Sequence, residues 1–233
     1  IHHPSQTAYA LAIDFNLMPE ETMAQTTHYF VESIHRRDNH LSVGFLGISH
    51  LLPALTKCGQ SELAFALLEQ KGNPGWLYSV INGATTIWER WNSYIAETGT
   101  FGDVSMNSFN HYAYGSIGQW LYRTVLGIQT GENADEAGYR KIFLTPSWGG
   151  TLTYAKGEQK TPFGKIASSW EKKDNSIVYH CTIPANTTAH LTLPASGHNS
   201  VQILEGAAIT DTAAVSGVAD FELVSGSYTF KIY

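Results

Sequence analysis

Apolar positions recur every three or four residues along the first part of the chain and every two along the last. Residues 5–16 predict a short apolar helix that ends at Asn16 and Pro19. Pro19-Glu20-Glu21 opens a second, because proline suits the first turn and acids favour the positive helix end. Met23, Phe30 and Ile34 carry its inward stripe to about Arg37. A third is expected from Val43 to Cys58, with Pro53 inside it and Gly59 ending it. The fourth, Ser61 to Lys71, sets Leu63, Ala64, Leu67 and Leu68 on one side before Gly72-Asn73-Pro74-Gly75 breaks it. Short helices are expected at 76–81 and 85–91. The most regular spacing spans 108–128, where Phe109, Tyr112, Ala113, Ser116, Ile117, Trp120 and Leu121 predict one long helix capped by Asn107 or Ser108. Six or seven helices, paired antiparallel through short loops, are implied.

Past residue 140 the period drops to two. Ile177, Tyr179, Cys181 and Ile183 alternate with Val178, His180 and Thr182; Leu191 and Leu193, then Tyr228, Phe230 and Ile232, repeat the pattern. Further strands are expected at 141–145, 151–156, 165–171, 201–205 and 219–224. Regular Gly and Asn turns between them suit an antiparallel β-sandwich. The expected organisation is α then β, a helical domain over 1–138 and a β-sandwich over 139–233.

Composition narrows the function classes. With 43% hydrophobic and 15% charged residues the chain is globular. A net charge of −6, with no basic run longer than two, argues against a nucleic-acid binder. No apolar stretch reaches the ~18 residues that a membrane-spanning helix needs, so no membrane partner is expected. The start, Ile1-His2-His3-Pro4, has neither an initiator Met nor a signal pattern, so the chain is expected to be cut from a longer one. Cytoplasmic, periplasmic and secreted locations all stay open. Cys58 and Cys181 are expected as buried free thiols. HExxH, CxxC pairs, a P-loop and GxSxG are absent. Of ten histidines only His28 and His35 share a probable helix face, and no tight acidic cluster invites calcium. No cofactor and no metal is expected. The 6 Trp and 12 Tyr suit sugar faces as well as cores.

Chemistry concentrates in two segments. Within residues 83–92, Glu89 lies between Trp88 and Arg90, with Trp91 beyond. A guanidinium can hold such a carboxylate ionised while indoles exclude bulk water, which describes a general base. The same residues also describe an ion-paired Glu beside two structural tryptophans. In residues 106–116, His111 stands on the expected first turn of the long helix, where it can reach a ligand or simply cap.

Gly83 to Trp91 (GATTIWERW) followed by Met106 to Arg123 (MNSFNHYAYGSIGQWLYR) resembles the α-L-rhamnosidase family of inverting glycoside hydrolases. Ser5 to Ala10, Leu17 to Glu21, His40 to Gly47 and Leu51 to Leu55 resemble its segments in the same order. The likeness covers about residues 5–128; beyond 140 only the β character agrees. It implies a catalytic (α/α)6 barrel of twelve helices, of which this chain holds about half, followed by a C-terminal sandwich. It makes Glu89 the general base that activates water and His111 a contact to the bound rhamnose, with Trp88 and Arg90 supporting Glu89 in the substrate-binding site. Base and acid of an inverting pair stand about 6.5–9.5 Å apart. The family's acid lies upstream, outside these residues. The implied partner is a rhamnose-containing glycoside or oligosaccharide, and the exposed apolar helix edges call for an N-terminal half or a second copy. A non-catalytic carbohydrate-binding protein and a glycosidase-like structural remnant are the competing readings.

Overall fold

The computed structural model describes residues 4–131, 133–195, 200–206, 209–211 and 217–233. Two compact units divide the chain. The first runs to Trp120 and takes back Gly149–Thr151; the second holds Leu121–Trp148 and Leu152–Tyr233.

The first unit is built on α1 (Gln6–Asp14), α2 (Glu20–His35), α3 (Phe45–Lys57), α4 (Ser61–Leu68) and α5 (Trp76–Ile81). Ser5 caps α1, its hydroxyl accepting the Ala8 N–H at 3.1 Å. Acidic Glu20 and Glu21 occupy the first turn of α2 as expected, and Pro53 sits inside α3 without ending it. Ile13, Phe30, Ile34, Leu51, Leu52, Leu55 and Phe65 form the buried core. α1 and α3 approach closely at Gly47, where an added Cβ would stand 2.5 Å from the Thr7 hydroxyl oxygen. The buried Gln6 amide fastens the α2–α3 connection, donating to the His40 carbonyl at 3.1 Å and accepting the Ser42 N–H at 2.6 Å.

One expected helix is not there and another is shorter than expected. Residues 85–91 are irregular, with bends at 85–86 and 89–90; Thr85, Thr86 and Ile87 are β-branched, which weakens a helix at its start. The long helix expected over 108–128 begins only at Ala113. It runs as a 3-10 turn (Ala113–Ser116), one α turn (Ile117–Trp120, α6) and a π turn (Leu121–Val125). Ahead of it, side chains compete for the backbone: the Ser108 hydroxyl takes the Asn110 N–H at 3.1 Å and the His111 ring takes the Ala113 N–H at 3.3 Å. At the far end Gly127 stops the helix at φ 72°, and an added Cβ would stand 2.2 Å from the Pro146 backbone nitrogen.

The second unit contains two five-stranded sheets. One has the order β10-β11-β8-β4-β3, the other β5-β6-β7-β12-β9. The strands are β3 (Ile128–Thr130), β4 (Lys141–Leu144), β5 (Tyr154–Thr161), β6 (Gly164–Lys173), β7 (Ser176–Ile183), β8 (Thr188–Pro194), β9 (Val201–Glu205), β10 (Ile209–Asp211), β11 (Val218–Leu223) and β12 (Gly226–Ile232). Pairing is antiparallel except between β4 and β8. The alternation read from the sequence buries Tyr179, Cys181, Ile183, Leu191, Leu193, Tyr228, Phe230 and Ile232. Phe221 of one sheet meets Phe230 of the other at 5.1 Å, so this is a sandwich with one shared core.

Carbonyls left unpaired at the helix end are satisfied from β6. Trp170 donates its indole N–H to Val125 at 2.8 Å and Ser168 its hydroxyl to Leu126 at 2.6 Å. Both cysteines are free thiols, Cys181 buried and Cys58 half-buried. Burial pushes the Cys181 thiol far above the ordinary cysteine range. Iodoacetamide at mildly alkaline pH is therefore expected to leave Cys181 unmodified in the native protein and to label it after unfolding, as read by peptide mass spectrometry.

Candidate active site

The two segments singled out in the sequence lie side by side. β1 (Tyr94–Ile95) and β2 (Thr100–Phe101) form a short hairpin, pairing Tyr94 with Phe101 and Ile95 with Thr100. Its arms continue antiparallel beyond the hairpin. Gly102 N–H donates to Ser93 at 2.9 Å, Glu89 N–H to Ser108 at 2.9 Å and His111 N–H to Ile87 at 2.8 Å. The Thr86 hydroxyl adds a bond to the Phe109 carbonyl. Extended pairing thus brings Glu89 and His111, twenty-two positions apart in the chain, onto neighbouring rungs.

Glu89 is half-buried. Its Oε2 accepts the Ser108 N–H at 2.7 Å, the same residue whose carbonyl takes the Glu89 N–H. This reciprocal ring fixes the carboxylate through backbone alone. Among the described residues Oε1 accepts no hydrogen bond, which leaves it for an incoming donor. Arg90 does not pair with Glu89. The Arg90 guanidinium stands 3.6 Å from Asp103 instead. The Ser105 hydroxyl and N–H hold the Asp103 carboxyl below the usual range, with Arg90 adding to the effect.

Aromatic rings surround these rungs. Trp91 stacks on Tyr114 at 3.8 Å and 6°, and Trp76 meets Trp91 edge-on at 5.4 Å. Trp76 donates its indole N–H to the Tyr114 carbonyl at 2.9 Å, Trp91 to the Val43 carbonyl at 3.1 Å. Burial raises the Tyr114 phenol; Arg90 opposes that rise and Glu89 adds to it. Trp88 is buried and packs edge-on against Phe109 at 5.4 Å, so it supports the arm from beneath. His111 stacks on Phe45 at 4.7 Å and 17° and on Tyr112 at 5.3 Å and 10°. Because its Nδ1 accepts the Ala113 N–H, the neutral ring carries its proton on Nε2. Asn107 donates to the Ser93 carbonyl at 2.9 Å, while its buried Oδ1 has no partner among the described residues.

Phe45 and Tyr114 were not singled out from the residues themselves, and Asn107 and Ser108 were expected only as helix caps. All four lie in segments that carried the resemblance; the Ser108 contribution is a backbone N–H, which no side-chain pattern reveals.

Residues 1–125 match the bacterial alpha-L-rhamnosidase 6 hairpin glycosidase domain, and residues 127–208 the bacterial alpha-L-rhamnosidase C-terminal domain. The chain belongs to the bacterial α-L-rhamnosidase family. An α-L-rhamnosidase of Streptomyces avermitilis is 40% identical over 228 residues, covering 98% of this chain and 21% of that protein. One of Formosa agariphila is 41% identical over 199 residues, 85% of this chain and 21% of its own length. The crystal structure of the Streptomyces avermitilis α-L-rhamnosidase complexed with L-rhamnose superposes with a TM-score of 0.90 at 39% identity, over 98% of this chain and 22% of that one. That of the Aspergillus terreus α-L-rhamnosidase gives 0.76 at 31% identity, over 94% of this chain and 24% of that one. The chain spans about a fifth of the length of the α-L-rhamnosidases it matches. Its helical unit is accordingly part of a six-hairpin glycosidase domain, followed by the family's C-terminal sheet domain.

Proposed function

We propose that this chain supplies the general-base side of an inverting α-L-rhamnoside hydrolase. The observation that carries the reading is the Glu89 carboxylate, held through one oxygen by the Ser108 N–H with the other open, one rung from His111. In this reading Oε1 accepts a proton from a water as that water attacks the anomeric carbon. His111 Nε2–H donates to a hydroxyl of the rhamnose ring, and the stack on Phe45 and Tyr112 keeps the imidazole in place. Trp88 and Arg90 act on the arm that carries Glu89, not on the sugar.

The acid that protonates the leaving group comes from a segment outside these residues. Exposed apolar side chains on the helical unit agree with such a neighbour: Leu46 is 80% exposed, Val80 59%, Ile81 60% and Val104 87%. The division into a barrel portion over 1–138 and a sandwich over 139–233 belongs to the same proposal.

Hydrolysis of p-nitrophenyl α-L-rhamnoside, followed by proton NMR in deuterated buffer, tests the mechanism. β-L-rhamnose is expected as the first-formed anomer, because water attacks opposite the leaving group. α-L-rhamnose as the first product would point to a covalent intermediate and overturn the base role of Glu89.

A further inference from the structure

At one end of the sandwich a groove of about 470 Å³ opens between the sheets, lined by Trp148, Asp174, Asn175, Ser176, Ile177 and Tyr233 among others. A second recess of about 390 Å³ shares Asp174, Asn175, Ser176 and Tyr233. Tyr233 is 61% exposed, yet its ring is fixed. The hydroxyl donates to Gln202 Oε1 at 2.9 Å, and the Lys231 ammonium covers one face at 4.8 Å from the ring centre.

Trp148 is set by edge contact with the buried Trp170 at 6.4 Å. Trp76, Trp91, Trp120 and Trp170 all donate their indole N–H to protein groups. Trp148 and Trp88 have no such acceptor among the described residues, and of the two Trp148 borders the groove. Asp174 and Asn175 form the two-residue turn between β6 and β7, with Asp174 at φ 51°. Their side chains engage no protein partner among the described residues, so carboxylate and amide both stand ready at the rim.

Two held aromatic rings beside an unused carboxylate, amide and indole N–H are what a pyranose requires: flat apolar faces for its C–H groups, and donors and acceptors for its hydroxyls. We propose that the sandwich carries a saccharide-binding groove of its own, formed by Trp148, Tyr233, Asp174 and Asn175, which takes a sugar chain independently of Glu89.

Native electrophoresis in gels containing soluble rhamnogalacturonan tests this, run in a Glu89→Gln background so that hydrolysis cannot release the chain. Enough salt is included to screen simple charge attraction. The choice of polysaccharide rests on the rhamnoside reading; the groove itself does not. Glu89→Gln protein is expected to be retarded. Adding Trp148→Ala or Tyr233→Ala is expected to weaken the apparent affinity about fivefold or more, and Asn175→Ala to weaken it less. Thermal unfolding is followed in parallel, and the exposed positions 233 and 175 are expected to leave it unchanged. No retardation of the Glu89→Gln protein, or equal retardation of all variants, would overturn the proposal. Retardation by a protein whose Glu89 form never hydrolyses a rhamnoside would instead remove the catalytic reading and leave the groove standing.

Discussion

Glu89→Gln is expected to lower kcat/KM for p-nitrophenyl α-L-rhamnoside by about 10³, within the 10²–10⁴ that general base catalysis supplies. That loss corresponds to about 4 kcal/mol of transition-state stabilisation. The substitution is nearly isosteric. Its amide oxygen can still accept the Ser108 N–H, so the paired arms keep their register and calorimetric affinity for rhamnose stays within about twofold. Nitrophenolate leaves without protonation, which separates the base from the acid proposed to lie elsewhere. The assay belongs on the protein that carries both segments, with this chain alone as comparison. A variant retaining more than a tenth of the activity would mean that another group deprotonates the water.

Trp170 carries the second large effect. It is 1% exposed, packs against Trp148, and donates to the Val125 carbonyl where the helix ends. Trp170→Ala is expected to cost about 3–5 kcal/mol, the usual range for removing a buried aromatic. Trp170→Phe keeps most of the ring but strands the carbonyl, at about 1–3 kcal/mol. Urea unfolding followed by near-ultraviolet circular dichroism compares the two. An alanine variant less than about 1 kcal/mol weaker would mean that the site collapses around the loss and that the indole is not central to the sandwich.

Much of the architecture was legible because period and burial agree. The alternation through Tyr179, Cys181 and Ile183 and through Tyr228, Phe230 and Ile232 became two adjoining strands with those residues inward. The helices α1 to α5 stand where the apolar spacing put them, although α4 stops at Leu68, short of the expected Lys71. Failure came where apolar residues at helical spacing served a different backbone. Phe109 and Tyr112 fit a helical stripe, yet the Phe109 carbonyl accepts the Thr86 hydroxyl, its neighbours Ser108 and His111 bond Glu89 and Ile87 across the chain, and Tyr112 only caps the 3-10 turn. Long-range pairing of this kind leaves no local signature. The candidate site was legible as a list, Glu89 and His111, through resemblance. Its geometry was not: Arg90 turns to Asp103, and the group that fixes Glu89 is a main-chain amide.

The helix that ends at Val125 has its last carbonyls covered by Ser168 and Trp170, 42 and 45 residues later in the chain. During synthesis those carbonyls join the chain 42 and 45 residues before their donors. Until β6 is made, the Val125 and Leu126 carbonyls have only water to bond, whereas those of Arg123 and Thr124 already have the Gln129 side chain and the Ser147 N–H. A chain halted before residue 168 would therefore keep these two carbonyls open, and only the arrival of β6 closes them.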